Sequence, residues 1–268
     1  MIDTGTGLTI LGSAVGGAKV LEKILGPTSD YIGDQIKEWA KKKVDNTSKI
    51  FKNAEKKLGN KINNPGKVPP KVLKEILEEG SWCEEELQID YLGGVLASSR
   101  SEISRDDRGA YFASLISRLT TYQLRTHYIF YRAVKLHFDS SDVQIAERAV
   151  REKLKIFIPM ETYLAGMDFN FEESKNRNSL IAHSIWGMNK EDLINNDFIY
   201  GPSEFVRKQS PEISVAGIIF TPTILGVELF LWAFGKGDLN YQFFFNPDFE
   251  IEEFNSIPTG PTHKINAL

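Results

Sequence analysis

The 268-residue sequence is poor in the residues that most often carry chemistry, with one cysteine, Cys83, and four histidines. A single cysteine excludes an internal disulfide and a zinc site built from cysteine thiolates, and it favours a reducing, cytoplasmic setting. The histidines, at positions 127, 137, 183 and 263, have no HxxxH or HExxH spacing. No glycine-rich loop combines a preceding strand with a following Lys-Ser/Thr pair. We therefore expect no metal, nicotinamide or flavin cofactor.

Long uninterrupted hydrophobic runs are also scarce. The segment from Gly7 to Leu25 is interrupted by Lys19, and its apolar residues recur at helical spacing, which predicts an amphipathic helix rather than a membrane span. Residues 213–234 are long enough for a span, but they contain Pro222 and Glu228. Peripheral membrane contact, or a membrane-perturbing effector acting through the first segment, stays an alternative.

Charge is unevenly distributed along the chain, whose net charge is −4. The stretch from Lys37 to Lys61 has nine lysines against three acidic residues, a local charge of +6 that leaves −10 for the remainder. Such a stretch permits contact with nucleic acid or an anionic lipid, although a lysine-rich helix face more often meets only solvent. The candidate anion-contact residues are Lys41, Lys42, Lys43, Lys49, Lys52 and Lys56.

The spacing of apolar residues predicts a mainly helical chain. Between Val68 and Ser99 they recur every three or four residues, which predicts a helical hairpin opened by Pro69-Pro70 and divided after Gly80. The same period predicts helices over residues 28–58, 110–119, 123–138, 143–154 and 179–194.

The C-terminal part has a different pattern. Short strands are predicted at 198–200, 212–221 and 240–245, with a helix beginning at Pro222, while residues 156–171 stay open between strand and helix. This order resembles a winged-helix module. The predicted fold is mainly α, with a helical bundle core followed by a winged-helix-like α+β module. The predicted divisions are N-terminal amphipathic helices at 1–59, a helical core at 68–155, the α+β module at 156–255 and a frayed tail at 256–268.

Two stretches resemble a known family. VPPKVLKEILEEGS followed by EEELQIDYLGGVLASS resembles the signature region of the Abi-alpha (abortive-infection alpha) family of bacterial proteins, and FTPTILGVELFLWAFG resembles its C-terminal TP..G..F element. The sequence departs from the family at Gly93-Gly94, where an aromatic and small residues are usual, and in the spacing between Pro222 and Gly226. The resemblance implies antiphage defence. We therefore predict a defence protein that recognises a protein partner or phage component, and we leave a homo-oligomer open.

One short motif predicts a catalytic alternative. Arg177, Asn178 and His183 resemble the RNxxxxH pattern of HEPN ribonucleases, in which two motifs usually meet across a dimer interface. A histidine titrating near neutrality can move the proton of an RNA 2′-hydroxyl, and an arginine can stabilise the phosphorane charge. The opposing interpretation is a core helix, since Ile181 and Ile185 form an apolar stripe that would leave His183 partly buried.

Nucleic-acid binding by the C-terminal module is a weaker expectation than protein binding. The cations near its predicted helices are Lys190, Arg207 and Lys208, and five acidic side chains accompany them. Because an acidic module binds a polyanion poorly, the composition favours a protein partner and a non-catalytic role.

Overall fold

The computed structural model describes residues 46–80, 82–83, 85–103, 105–139, 143–251, 254, 257–258 and 260–265. The segment from Gly7 to Leu25 and the lysines at 41, 42 and 43 lie outside these residues. Within them, the chain is mainly helical and carries a small four-stranded antiparallel sheet in its C-terminal part. The predicted fold class is therefore confirmed. None of the helices in this described part is both long and apolar enough to cross a bilayer.

The described residues form eleven α-helices, numbered in chain order. They are α1 (46–58), α2 (Pro70–Gly80), α3 (Glu86–Ser98), α4 (Arg108–Arg118), α5 (Thr121–Phe138), α6 (Arg148–Arg151), α7 (Met160–Met167), α8 (Phe171–Lys175), α9 (Arg177–Lys190), α10 (Ser203–Val206) and α11 (Ile224–Ala233). Two 3-10 helices cover Gly59–Asn63 and Tyr241–Phe245. The strands are β1 (Ile156–Pro159), β2 (Ile199–Gly201), β3 (Gly217–Phe220) and β4 (His263–Lys264).

Contacts divide the chain into two compact units. The first contains the described residues up to Arg118 together with Leu231–Leu239, and the second contains Leu119–Phe230 and the described residues from Asn240 onward. Helix α11 contributes residues to both units. The first unit is thus assembled from two separate parts of the sequence.

The first unit is built on the predicted helical hairpin. Helices α2 and α3 pack against each other and against α4, and α2 ends at Gly80 as the sequence predicts. The segment Leu231–Leu239 packs in this unit as well. The ring of Trp232 stacks on the ring of Phe112, with centroids 4.8 Å apart. The Lys57 side chain, only 8% exposed, pairs with Asp90 and donates a hydrogen bond to the Ala233 carbonyl at 2.8 Å.

The second unit contains the sheet, in the order β2-β3-β1-β4 with every pairing antiparallel. Alternation along each strand gives the sheet two apolar faces. Phe157 and Ile219 pair on one face and pack with Val206 of α10. On the other face Phe220 stacks on Phe130 of α5, with centroids 4.1 Å apart.

Helix α5 begins where the sequence breaks its apolar stripe. The Thr120 hydroxyl accepts a hydrogen bond from the Gln123 amide nitrogen, and the Gln123 side-chain oxygen accepts one from the Thr120 amide. This capping box satisfies two N–H groups that the first helical turn would otherwise leave unpaired.

Two local predictions need correction, and one segment that the sequence leaves open is assigned by the structure. Residues 240–245 were predicted as a strand, but they form a 3-10 helix whose start is capped by the Asn240 side chain, and Phe244 and Phe245 are buried. The helix predicted over 143–154 is confined in the described residues to Arg148–Arg151. The open segment 156–171 supplies both the strand β1 and the helix α7, divided at Pro159.

Candidate functional site

Two adjoining clefts of the second unit, of about 700 and 510 Å³, share the side chains of Trp186, Tyr200 and Phe205. We call this continuous surface the aromatic groove. The first cleft is completed by Met160, Leu164, Arg177, Asn178, Ile181, Gly201, Pro202 and Ala216. The second is completed by Asn189, Asn196, Phe198, Ile199 and Lys208.

Helix α9 supplies one side of the groove, and its start is set by the short helix α8. Asn170 caps α8 in a box with Glu173, and the Tyr122 hydroxyl of α5 donates to the Glu173 carboxylate at 2.6 Å. The tyrosine hydrogen bond, with the Asn170 amide, lowers the pKa of Glu173 below its usual value. This contact anchors α8 on α5, and Arg177, the first residue of α9, follows two residues after α8 ends.

The buried stripe of α9 orients the groove residues. Ile181, Ile185 and Met188 are buried as the sequence predicts, and Trp186 lies off that stripe with 58% of its surface exposed. Its ring meets Phe198 edge-on at 5.0 Å between centroids. An exposed tryptophan held by an aromatic neighbour is a preorganised contact surface, since little rotamer freedom remains to be lost on binding.

Strand β2, the residue just before it and helix α10 supply the other aromatic rings. Phe198 and Tyr200, two residues apart, have nearly parallel rings with centroids 6.4 Å apart. Phe205 on α10 is 50% exposed, and the Lys208 ammonium lies 5.1 Å from its ring centroid. A cation over an aromatic face is held by the ring quadrupole, so the charge is positioned beside the apolar surface.

The charged side chains that line the groove are all positive. Its lining residues include the cations Arg177 and Lys208, one in each cleft, and three asparagines, with no aspartate or glutamate. Within the described residues, the Arg177 guanidinium has no hydrogen-bond or ion-pair partner. Chemically, this arrangement offers stacking surfaces, amide donors and acceptors, and two positive charges to an anionic ligand.

His183 lies elsewhere on α9, at the N-terminal end of α5. Its Nε2 lies 3.2 Å from the Gln123 side-chain nitrogen and 3.3 Å from the Thr120 hydroxyl. Since an amide nitrogen only donates, the Gln123 nitrogen is the donor in the first contact. A Cβ at Gly187 would lie 1.9 Å from that Gln123 nitrogen, so the glycine leaves the space that the amide occupies.

The structure therefore separates the two residues of the predicted motif. Arg177 lines the aromatic groove, whereas His183 does not and is bonded to Thr120 and Gln123 instead. The expectation that His183 is partly buried is wrong, because this side of α9 meets a polar helix start and the imidazole is exposed.

The other candidate residues belong to the first unit. Lys49, Lys52 and Lys56 are exposed on α1, and their three- and four-residue spacing places them on one face. Cys83 is buried, and its thiol donates to the Glu79 carbonyl at 3.4 Å. No group of three histidine, cysteine, aspartate or glutamate side chains converges on a metal site in the described ranges.

Sequence reasoning missed the aromatic residues of the groove. Trp186 was not predicted as a site residue because it lies outside the apolar stripe of α9. That position in the helix by itself indicates an exposed ring. Phe198 and Tyr200 were identified only as strand residues, although their alternation places both rings on one face.

Comparison with protein-family models, with curated proteins and with solved structures finds no match to this chain. The resemblance to the Abi-alpha family thus stays a prediction from the quoted motifs.

Proposed function

We propose that this chain is a bacterial antiphage defence protein of the Abi-alpha kind, that it acts in the cytoplasm by recognising a protein partner or phage component, and that the aromatic groove is its recognition surface. The resemblance of the α2–α3 and α11 segments supports the defence role. The groove supports recognition as the mode of action.

The observation that carries this proposal is the exposure of Trp186 and Phe205 in one concave surface. Large aromatic side chains are normally covered by other parts of the protein. Where several of them stay exposed together, they mark a binding site. The groove adds an unpartnered guanidinium to these rings. Stacking, amide and cationic groups bind a ligand without needing a nucleophile and its base.

The ribonuclease alternative is less well supported, because Arg177 and His183 do not line a common cleft. Within one chain the arginine could not stabilise a phosphorane beside that histidine. A second copy would have to supply one of the two residues. The membrane alternative concerns the segment from Gly7 to Leu25, outside the described residues, and no observation favours it.

A phage-plating assay in a bacterial host expressing the protein tests the proposal. The double variant Trp186→Ala/Phe205→Ala removes the two exposed rings, and we expect protection to fall by at least about tenfold, as for loss of interface hot spots. The matched control is Phe171→Ala, because Phe171 is 77% exposed in the same unit and does not line the groove.

Protection that survives the double variant at equal protein level would contradict the proposal. Loss of protection on His183→Ala, in a protein that stays folded, would favour the ribonuclease instead.

A further inference from the structure

We infer that the aromatic groove binds an extended acidic peptide segment that carries apolar anchor residues. The inference rests on the proposed function and names the chemistry of its partner. It follows from the shape of the groove, from its charge and from the number of its cations.

The shape of the groove favours a chain over a compact ligand. The cleft of about 700 Å³ could by itself enclose a small molecule, for which sites of roughly 300–1,000 Å³ are typical. It continues, however, into a second cleft across Trp186, Tyr200 and Phe205. Two clefts separated by aromatic side chains match a peptide that places one apolar side chain in each, because alternate residues of an extended chain point the same way.

The charge of the groove specifies an acidic partner. Arg177 is in the first cleft and Lys208 is in the second, so a positive charge accompanies each proposed anchor site. No lining side chain is acidic, in a chain whose overall charge is −4. A peptide carboxylate near each cation would therefore be attracted, and a basic peptide would leave both charges without compensation.

The number of cations favours a peptide over single-stranded nucleic acid. Proteins that bind single strands line a groove with many positive charges that follow successive phosphates, in addition to aromatic rings. Two cations would neutralise only two phosphates of a strand long enough to fill both clefts. The Asn189 side-chain nitrogen donates to the Ile194 carbonyl at 3.2 Å and to the Asn196 side-chain oxygen at 2.7 Å. The Asn189 side-chain oxygen can still accept from a peptide N–H group, and the Asn196 side-chain nitrogen can still donate to a peptide C=O group.

Selection from a library of random dodecapeptides tests the inference on the full-length protein. We expect the wild-type protein to enrich peptides that combine acidic with aromatic or aliphatic residues, and Trp186→Ala to weaken their binding by at least about tenfold. The single variants Arg177→Glu and Lys208→Glu should each weaken the same peptides and shift selection toward basic ones. Lys175→Glu is the control, because Lys175 is an exposed cation outside the groove.

Several results would overturn the inference. They are enrichment without an acidic preference, enrichment that Trp186→Ala retains, and no enrichment at all. Binding of a twelve-nucleotide oligouridine that Trp186→Ala abolishes would assign the groove to nucleic acid instead.

The plating assay separates this inference from the proposed function. If the groove variants abolish protection but no acidic peptide binds, the recognition role survives and the peptide assignment fails. If acidic peptides bind but the groove variants still protect, the peptide assignment stands and the groove has no part in defence.

Discussion

At the scale of single residues, His127 is a buried imidazole that the fold keeps neutral. Its Nε2 lies 3.0 Å from the Gly226 carbonyl, to which it donates, and its ring stacks on Tyr131 with centroids 4.6 Å apart. Complete burial lowers the pKa of His127 to about 3, because the imidazolium would lose its hydration. The same desolvation raises the pKa of Tyr131 above its ordinary value.

The lowered pKa predicts a loss of stability in acid. An unfolded-state histidine titrates near about 6.5, so between that pH and about 3 the unfolded chain binds a proton that the folded chain does not. Stability from this group is complete above the unfolded pKa and falls by about 1.4 kcal/mol per pH unit below it. Between pH 6.5 and 4.5, we expect the free energy of unfolding measured with urea to fall by about 2 to 3 kcal/mol more in the wild type than in His127→Gln. Parallel pH profiles would contradict this assignment.

At the scale of elements, Gly94 sets how closely α3 and the end of α11 approach. A Cβ at this position would lie 1.7 Å from the carbonyl oxygen of Ala233 and 2.2 Å from its carbonyl carbon. These are backbone atoms, which cannot rotate away as a side chain can. The first unit therefore has no space for a residue larger than glycine at position 94.

We expect Gly94→Ala to lower the unfolding free energy by about 3 kcal/mol, although alanine alone would favour the helix by about 1 kcal/mol. Chemical denaturation measures the change. The control is Gly166→Ala in α7, where the nearest obstacle is the terminal methyl of Ile129 at 2.7 Å. That methyl can move, so we expect a change below about 1 kcal/mol. Equal losses in the two variants would show that backbone approach is not the cause.

At the scale of the whole molecule, the first unit is completed by residues Leu231–Leu239, which follow most of the second unit in the sequence. Within this unit the Trp232 ring stacks on Phe112, and Phe234 meets Tyr91 edge-on at 6.4 Å. The Ser98 hydroxyl donates to the Trp232 carbonyl and accepts from the Gly237 amide, both at 3.0 Å. The hydrophobic core of the early helices is therefore incomplete until residues 231–239 are in place.

This arrangement predicts that a substitution within residues 231–239 strongly lowers the stability of the first unit. Trp232→Ala removes a tryptophan that is almost fully buried, and we expect a loss of about 3 to 5 kcal/mol in unfolding free energy. The matched control is Trp82→Ala in the same unit, where the side chain is 74% exposed and the expected change lies within about 0.5 kcal/mol. A similar loss in both variants would argue against residues 231–239 as part of the core.

Local pattern was sufficient for most helices. The paired stripes of α2 and α3 and the buried face of α9 depend on residues within one or two turns, and these predictions are confirmed. The helix predicted over residues 123–138 is present as well and begins two residues earlier, at Thr121. The prediction of a strand at residues 240–245 failed because a strand and a 3-10 helix can both bury Phe244 and Phe245. Only packing within the second unit selects between them.

The candidate site depended on longer-range contacts. Arg177 and His183 are six residues apart on one helix, which places them about 120° apart around its axis. The tertiary structure decides what each side meets, the aromatic groove for Arg177 and α5 for His183. Trp186, Tyr200 and Phe205 come from three elements, and no spacing in the chain indicates that they share a surface. The sequence by itself determined which segments are helical and which faces are apolar, since these follow from local periodicity. Only the tertiary structure decided which aromatic rings stay exposed together, since exposure depends on what every other segment leaves uncovered.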